Sequence, residues 1–270
     1  MHNLTAKCVF TYPIIAECIN PDIFCDKTLE EIEALEIWEG NKQRKLGELF
    51  KVEENTTENA TIAIHGDVSK VRRIGAGMKT GEITIHGNVG MHLGEEMRGG
   101  KIIVRGNAES WVGSMMKDGI IEVYGDADDY VGAPYRGCSE GMHGGRITIH
   151  GNVGNEAGAY MHDGIIKIYG CAGQFAGVRM HDGTIYVQKN CEARAGACMV
   201  NGKVIVGGFL ESVLPTFTIE SIKDKVKIEE NEVAQGPFYL FLGDLAENGN
   251  GKLYVSKERN PHLSHYERLL

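Results

Sequence analysis

Apolar residues and glycines recur along this chain with a period of nineteen between Ala60 and Gly208. Gly87, Gly106 and Gly125 open successive units. After seven additional residues the phase resumes at Gly151 and Gly170, passes through Lys189 and ends at Gly208, and a first unit from Gly66 is two residues longer. The unit reads Gly-(Asn/Asp)-(Val/Ala)-x-x-x-x-Gly-x-x-Met-x-x-Gly-x-(Ile/Val)-x-(Ile/Val)-x. Self-similarity at such a period is the mark of stacked laps, each covering the one before.

Two columns carry the strand signal. Ile62, Ile83, Ile102, Ile121, Ile147, Ile166, Ile185 and Val204 form one; Ile64, Ile85, Val104, Val123, Ile149, Ile168, Val187 and Val206 form the other, two residues on. A β-branched pair at period two is a half-buried strand, and one so short is stable only when paired with its copies in the neighbouring laps. Met78, Met97, Met116, Met142, Met161, Met180 and Met199 make a third column. A flexible thioether fills an irregular core corner well; a soft-metal or redox reading of the same ladder is the alternative. Small residues at Val89, Ala108, Ala127, Val153 and Ala172, and at Ala157, Ala176 and Ala195, suit a narrow interior. The expected fold is all-β: a right-handed parallel β-helix, a solenoid of about seven coils rising ~34 Å at roughly 4.8 Å per rung. Capping segments precede and follow it, giving a leader over 1–57, the β-helix over 58–208 and a C-terminal cap and arm over 209–270. Left-handed hexapeptide coils need a period of six, and calcium-binding nonapeptide coils need an aspartate in each turn; neither fits.

Outside the repeat the signals are local. Ala6–Phe10 and Ile14–Cys18 read as short strands, and Thr28 with Glu31 reads as a capping box opening a helix through Leu35. Leu46–Phe50 is apolar and placed to cover the first coil, whose open end would otherwise expose unpaired backbone. In the C-terminal part, Ser221–Lys225 suggests a helical turn. Gly236–Asp244 is an apolar strand run, followed by a turn at Asn248–Gly251 into Lys252–Val255. The tail from Lys257, with His265 and Tyr266, reads as an extended arm suited to a neighbouring subunit.

Three features are candidates for function. The extra seven residues fall in Ala133–Met142, where Tyr135 and Arg136 are interface-prone types; insertions in stacked repeats map to loops on binding faces, or are plain surface bulges. The position after the methionine holds Lys79, Arg98, Lys117, His143, His162 and His181. Stacking aligns these into a strip for an anion, a metal or an acidic partner, or into a solvated corner where Met-His-Asp-Gly makes a good turn. The position after the second Ile/Val holds His65, His86, Arg105, Tyr124, His150, Tyr169 and Gln188 and should face outward, as an interface or a cross-strand ladder. No nucleophile, base and orienter group together, so no catalytic residue, cofactor ligand or metal ligand is assigned to this chain.

The bulk numbers narrow the partners. A net charge of -9 over 270 residues argues against nucleic acid or an anionic membrane. No apolar run approaches the roughly 20 residues of a membrane span, and His2–Val9 lacks the basic-then-apolar order of a signal peptide. Seven cysteines at irregular spacing, without a C-x-x-C pair, suggest reduced thiols in a cytoplasmic protein rather than cluster or zinc ligation.

The repeat motifs Gly87–Gly94 (GNVGMHLG), Gly151–Gly158 (GNVGNEAG) and Gly170–Gly177 (GCAGQFAG) resemble the C-terminal β-helix domain of the large subunit of glutamate synthase. The flanks add to this. A leader carrying EIEALEIWEGN (Glu31–Asn41) and LGELF (Leu46–Phe50), seven methionine-bearing repeats and GPFYLFLGD resemble the C subunit of formylmethanofuran dehydrogenase from methanogenic archaea, over essentially the whole length. That resemblance implies a structural component of an archaeal complex that reversibly reduces carbon dioxide onto methanofuran in methanogenesis. It implies partners that carry the chemistry: a tungsten or molybdenum pterin subunit, an amidohydrolase-like subunit with a dinuclear metal site, and iron–sulfur subunits. It carries no catalytic residue onto this chain. A separately encoded β-helix of a glutamate-synthase-like amidotransferase is the alternative.

Overall fold

The computed structural model describes residues 2–54 and 61–270. The expected boundary between leader and repeat, at 57/58, and the start of the periodic stretch at Ala60 lie outside the described residues.

The chain is mostly β, with a thirteen-stranded sheet and a few short helices. Strands Thr61–His65, Glu82–His86, Arg98–Val104, Asp118–Val123, Arg146–Ile149, Ile165–Ile168, Thr184–Val187 and Lys203–Val206 lie side by side in sequence order, each parallel to the next. Ile83 faces Ile102, Ile121 faces Ile147 and Ile185 faces Val204, so like residues stand in file and both Ile/Val columns are buried. A second ladder of parallel bridges runs Val68, Val89, Ala108, Ala127, Val153, Ala172, Cys191, Leu210, all of them buried.

The methionine column is the third interior file, and each member is 0% exposed. Its packing explains a glycine in every following lap. A Cβ on Gly100 would lie 2.6 Å from the Met78 methyl, and one on Gly164 would lie 2.8 Å from the Met142 methyl. Gly119, Gly145, Gly183 and Gly202 stand in the same relation to Met97, Met116, Met161 and Met180. Those glycines also have positive φ, so a side chain is excluded on two counts.

The seven extra residues leave no mark on the register. Asn152 N donates to Asp126 Oδ1 at 2.6 Å across the insertion, as Asn107 N donates to Asn88 Oδ1 at 2.9 Å in a normal lap. These bonds belong to an Asn/Asp ladder that continues through Asn107 Oδ1 to Asp126 N and Asn152 Oδ1 to Cys171 N, both 2.9 Å. The repeat formula shows that position, but its role in bonding lap to lap was not read from it.

Both ends of the stack are closed by the flanks. His2–Ala6, rather than the expected Ala6–Phe10, forms the first strand; it pairs in parallel with Thr61–His65 and antiparallel with Phe50–Glu54. Ile14–Ile15 enters a small second sheet with Glu36–Glu39, Lys42–Lys45 and Val71–Arg72. The capping box is present: Thr28 Oγ1 accepts from Glu31 N, Glu31 Oε2 accepts from Thr28 N, and the helix spans Leu29–Glu33. Leu46 and Phe50, at the two ends of the apolar covering run, are buried in the same core as Ile62.

At the other end Gly251–Ser256 adds a parallel strand to Lys203–Val206, then pairs antiparallel with Glu232–Gly243, which pairs with Thr218–Glu229. The expected helical turn at Ser221–Lys225 is therefore strand. Ile219, Val226 and Ile228 are buried along it, and the last two pack with Ile205 and Phe238; pairing with a twelve-residue partner overrides local preference. The tail is not an extended arm either. Pro261–Leu269 forms a 3₁₀ helix whose Leu263 and Tyr266, three apart, share one face, and Tyr266 meets Phe241 edge-on at 5.0 Å. Fully buried Asn260 holds this tail to the last lap: its Oδ1 accepts from Leu210 N at 2.8 Å, and its Nδ2 donates to Gly208 O at 2.9 Å and Ser256 O at 2.7 Å.

Because Met161 is sealed between its own lap and Gly183, Met161→Ala is expected to destabilise the chain by about 2–5 kcal/mol through a cavity that rigid neighbouring laps cannot fill. A thermal or denaturant midpoint equal to that of the wild type would contradict this account of the methionine file.

Candidate functional site

The outward residues stack as their inward neighbours do. On the sheet wall, His65 and His86 rings lie 4.7 Å apart and 1° from parallel. Arg105 covers Tyr124 at 4.5 Å, Tyr124 stacks on His150 at 4.6 Å, and His150 meets Tyr169 at 5.3 Å. Tyr124 is exposed, while His150 and Tyr169 are half-buried. His150 Nε2 bonds Glu122 Oε1 at 2.9 Å, and that hydrogen bond is the first cause holding the Glu122 carboxyl below its ordinary range. Higher on the same face, buried Lys167 is clamped by Glu229 and Glu232 from the C-terminal hairpin. Against the penalty of burial, those carboxylates hold its ammonium above the usual lysine range.

At the corner after the methionine file, His143, His162 and His181 stack with centroids 4.5 Å apart at each step. The insertion folds against this ladder. Glu140 Oε2 lies 3.0 Å from His143 Nε2, and His162 Nε2 lies 3.1 Å from Ser139 O. Beside it runs an open groove of about 570 Å³ whose lining includes Gly145, Gly164, Gly183, Gly202, Asp163 and Asp182. The groove is the outer face of the glycines that the methionine methyls demand.

The other end of the insertion reaches a third ladder that sequence reasoning missed. His92, Trp111 and Tyr130, all at positive φ, stack at 5.1 and 4.6 Å. Tyr135 leans on His92 at 5.2 Å, and Arg136 Nη2 donates to the Tyr130 hydroxyl at 2.9 Å. Beneath them Glu95, 2% exposed, accepts from Arg73 Nε at 2.7 Å. Burial first, and then the Glu95 carboxylate, push the Tyr135 phenol above its ordinary range. The available signal was the aromatic or imidazole ring five places after four of the unit glycines, at His92, Trp111, Tyr130 and Phe175.

Of the residues singled out from sequence, Tyr124, His150 and Tyr169 share one wall, His143, His162 and His181 share one corner, and Tyr135 and Arg136 join the aromatic ladder. His265 and Tyr266 stand apart on the C-terminal 3₁₀ helix, 4.2 Å between rings. All seven cysteines are free; burial pushes the Cys191 thiol up to about 12 and Cys18 up to about 11. Among the described residues no helix is long and apolar enough to cross a membrane.

These features define a mostly β protein that presents long ladders of stacked side chains. No family model matches the chain. It is 48% identical over 266 residues to the C subunit of the tungsten-containing formylmethanofuran dehydrogenase 2 of Methanococcus maripaludis, covering 96% of this chain and 98% of that one. It is 47% identical over 91 residues to the C subunit of the molybdenum-containing formylmethanofuran dehydrogenase 1 of Methanothermobacter marburgensis; there the match spans 34% of the chain and only 23% of the relative's length. Among solved structures it resembles a chain of the formyltransferase/hydrolase complex from Methylorubrum extorquens, crystallised with methylofuran, at a TM-score of 0.85 and 29% identity, over 94% of this chain and 99% of that one. The chain belongs to the family of formylmethanofuran dehydrogenase C subunits.

The Glu122–His150 pair gives a pH test. A depressed carboxylate contributes stability above its unfolded pKa, about 4.3, and loses it as pH falls through the lower folded value. Glu122→Gln is therefore expected to lower stability near neutrality by no more than about 1 kcal/mol for this partly exposed pair, with the difference closing on acidification through that range. Thermal midpoints of the two proteins across pH decide it: a gap that widens in acid would refute the assignment.

Proposed function

We propose that this chain is the structural, non-catalytic C subunit of a cytoplasmic formylmethanofuran dehydrogenase complex, the assembly that reversibly reduces carbon dioxide to N-formylmethanofuran in the first step of methanogenesis. The observation that carries this reading is the 48% identity to the C subunit of a tungsten enzyme along essentially the full length of both chains. In this reading the reaction belongs to partner subunits: one with a tungsto- or molybdopterin, an amidohydrolase-like one with a dinuclear metal site, and iron–sulfur subunits.

The architecture in this reading is a right-handed parallel β-helix over 58–208, closed by a leader over 1–57 and a C-terminal cap over 209–270. In-register parallel strands joined by single laps support it, as does the strong right-handed preference of parallel crossovers. The Tyr124–His150–Tyr169 wall and the Tyr135–Arg136 loop are the docking faces, since aromatic and arginine side chains at least partly open to solvent are the types that anchor interfaces.

A second reading, a formyltransferase/hydrolase assembly, is favoured by the backbone likeness to the Methylorubrum chain. Tagged chain recovered from its native host, with mass spectrometry of what accompanies it, separates the two: pterin and iron–sulfur subunits are expected, a set lacking both selects the second reading, and a chain recovered alone rejects both. With the partners in hand, Tyr124→Ala/Tyr169→Ala is expected to weaken association tenfold or more, a loss of about 1.4 kcal/mol or greater; unchanged affinity would remove that wall from the interface.

A further inference from the structure

We propose that Glu140, His143 and His162 form a binding site for one divalent transition-metal ion of the zinc type, assembled where the inserted loop meets the histidine ladder. One ligand atom from each of the three lies within 4.8 Å of the others. Two imidazoles and a carboxylate are the donor set of open, three-ligand zinc sites, with a fourth position left to water or to a partner's side chain.

The hydrogen bonds point the same way. His143 Nδ1 lies 2.8 Å from Gly141 O. A carbonyl only accepts, so Nδ1 carries a proton, and Nε2 is the nitrogen left to offer a lone pair when the ring holds one proton. That lone pair faces Glu140 Oε2 at 3.0 Å, two acceptors in contact, which only a proton or a cation reconciles. His162 likewise gives Nε2–H to Ser139 O at 3.1 Å, leaving its other nitrogen with the lone pair. A ring nitrogen donating to a backbone carbonyl, so that the second nitrogen is free to ligate, is the usual second layer of a metal site. Here both carbonyls come from the insertion itself.

The column changes chemistry at the same place. Below the insertion it holds Lys79, Arg98 and Lys117, which cannot ligate at neutral pH; from the insertion upward it holds His143, His162 and His181. Cys138, in the same loop, is engaged otherwise, its Sγ accepting from Glu140 N at 3.4 Å. Closing the site needs ligand separations of about 3.3 Å, the edge of a tetrahedron with ~2.0–2.1 Å bonds. The separations present are no more than 4.8 Å, so closure asks for at most about 1.5 Å of movement from side chains that are exposed at Glu140 and His143 and half-buried at His162.

The test uses the purified full chain and Co²⁺, whose visible bands report coordination, with Zn²⁺ in competition. One equivalent is expected to give tetrahedral d–d bands without a thiolate charge-transfer band. His143→Ala and His162→Ala are expected to abolish them, and Glu140→Gln to weaken binding at least tenfold. The three side chains are partly or fully exposed, so circular dichroism of the variants should match the wild type. No band from the wild type, a thiolate band, or binding unchanged in the histidine variants would each overturn the proposal. None of these outcomes bears on which subunits the chain accompanies.

Discussion

Each lap is hydrogen-bonded to the one beneath it residue for residue along its strands, and that pairing leaves the walls no freedom in length. In a regular lap the offset is nineteen, as from Asn88 to Asn107; across the insertion it is twenty-six, and the strands on either side still face each other residue for residue. An added residue inside a wall would turn every inward side chain beyond it outward. Extra length can therefore be expelled only at a corner, and within Ala133–Met142 it is Tyr135–Glu140 that stands exposed or half-buried there while Ala133, Pro134, Gly141 and Met142 stay buried. The methionine file tightens the rule, because each methyl fills the space above a glycine of the next lap. A change in either disturbs the packing of the other.

That constraint also explains where chemistry collects. Inward positions are committed to packing, and the glycines beneath the methionines leave an open groove outside. Outward positions are free to differ, yet stacking forces each into contact with the same position one rung away. The result is rows of like side chains: rings over rings at Tyr124, His150 and Tyr169, imidazole over imidazole at His143, His162 and His181. The insertion ties two rows together, touching His92 through Tyr135 and His162 through Ser139.

Much of this was legible in the chain because a repeat reports each position several times over. The Ile/Val files, the methionine file, the outward rings and the capping box at Thr28 all stood in the sequence and hold their expected places. What escaped had no such redundancy, or looked neutral. Ser221–Lys225 has too few apolar residues to announce a strand, and its pairing partner lies beyond a turn. The tail's polar composition suggested an arm, while the anchor is one buried residue, Asn260, whose three hydrogen bonds no pattern encodes. The Asn/Asp position is visible in the repeat formula, but a side-chain oxygen that bonds the next lap looks in sequence like any polar corner residue. The bulky residues at His92, Trp111 and Tyr130 belong to a column that also holds Glu156, Phe175 and Arg194, so no single residue type marks it in the sequence.

Of the two terminal strands of the large sheet, Phe50–Glu54 runs against the direction of the stack, and Thr218–Glu229, beyond the reversed Glu232–Gly243, runs with it. Phe50–Glu54 closes one end with Lys51, Glu53 and Glu54, and Thr218–Glu229 closes the other with Glu220, Lys223, Asp224, Lys225 and Lys227, its ladder broken by three register shifts. Charged, irregular borders of this kind resist the addition of a further strand. Such borders work against two copies continuing one another lengthwise into a filament, and leave the side walls as the surfaces open to neighbours.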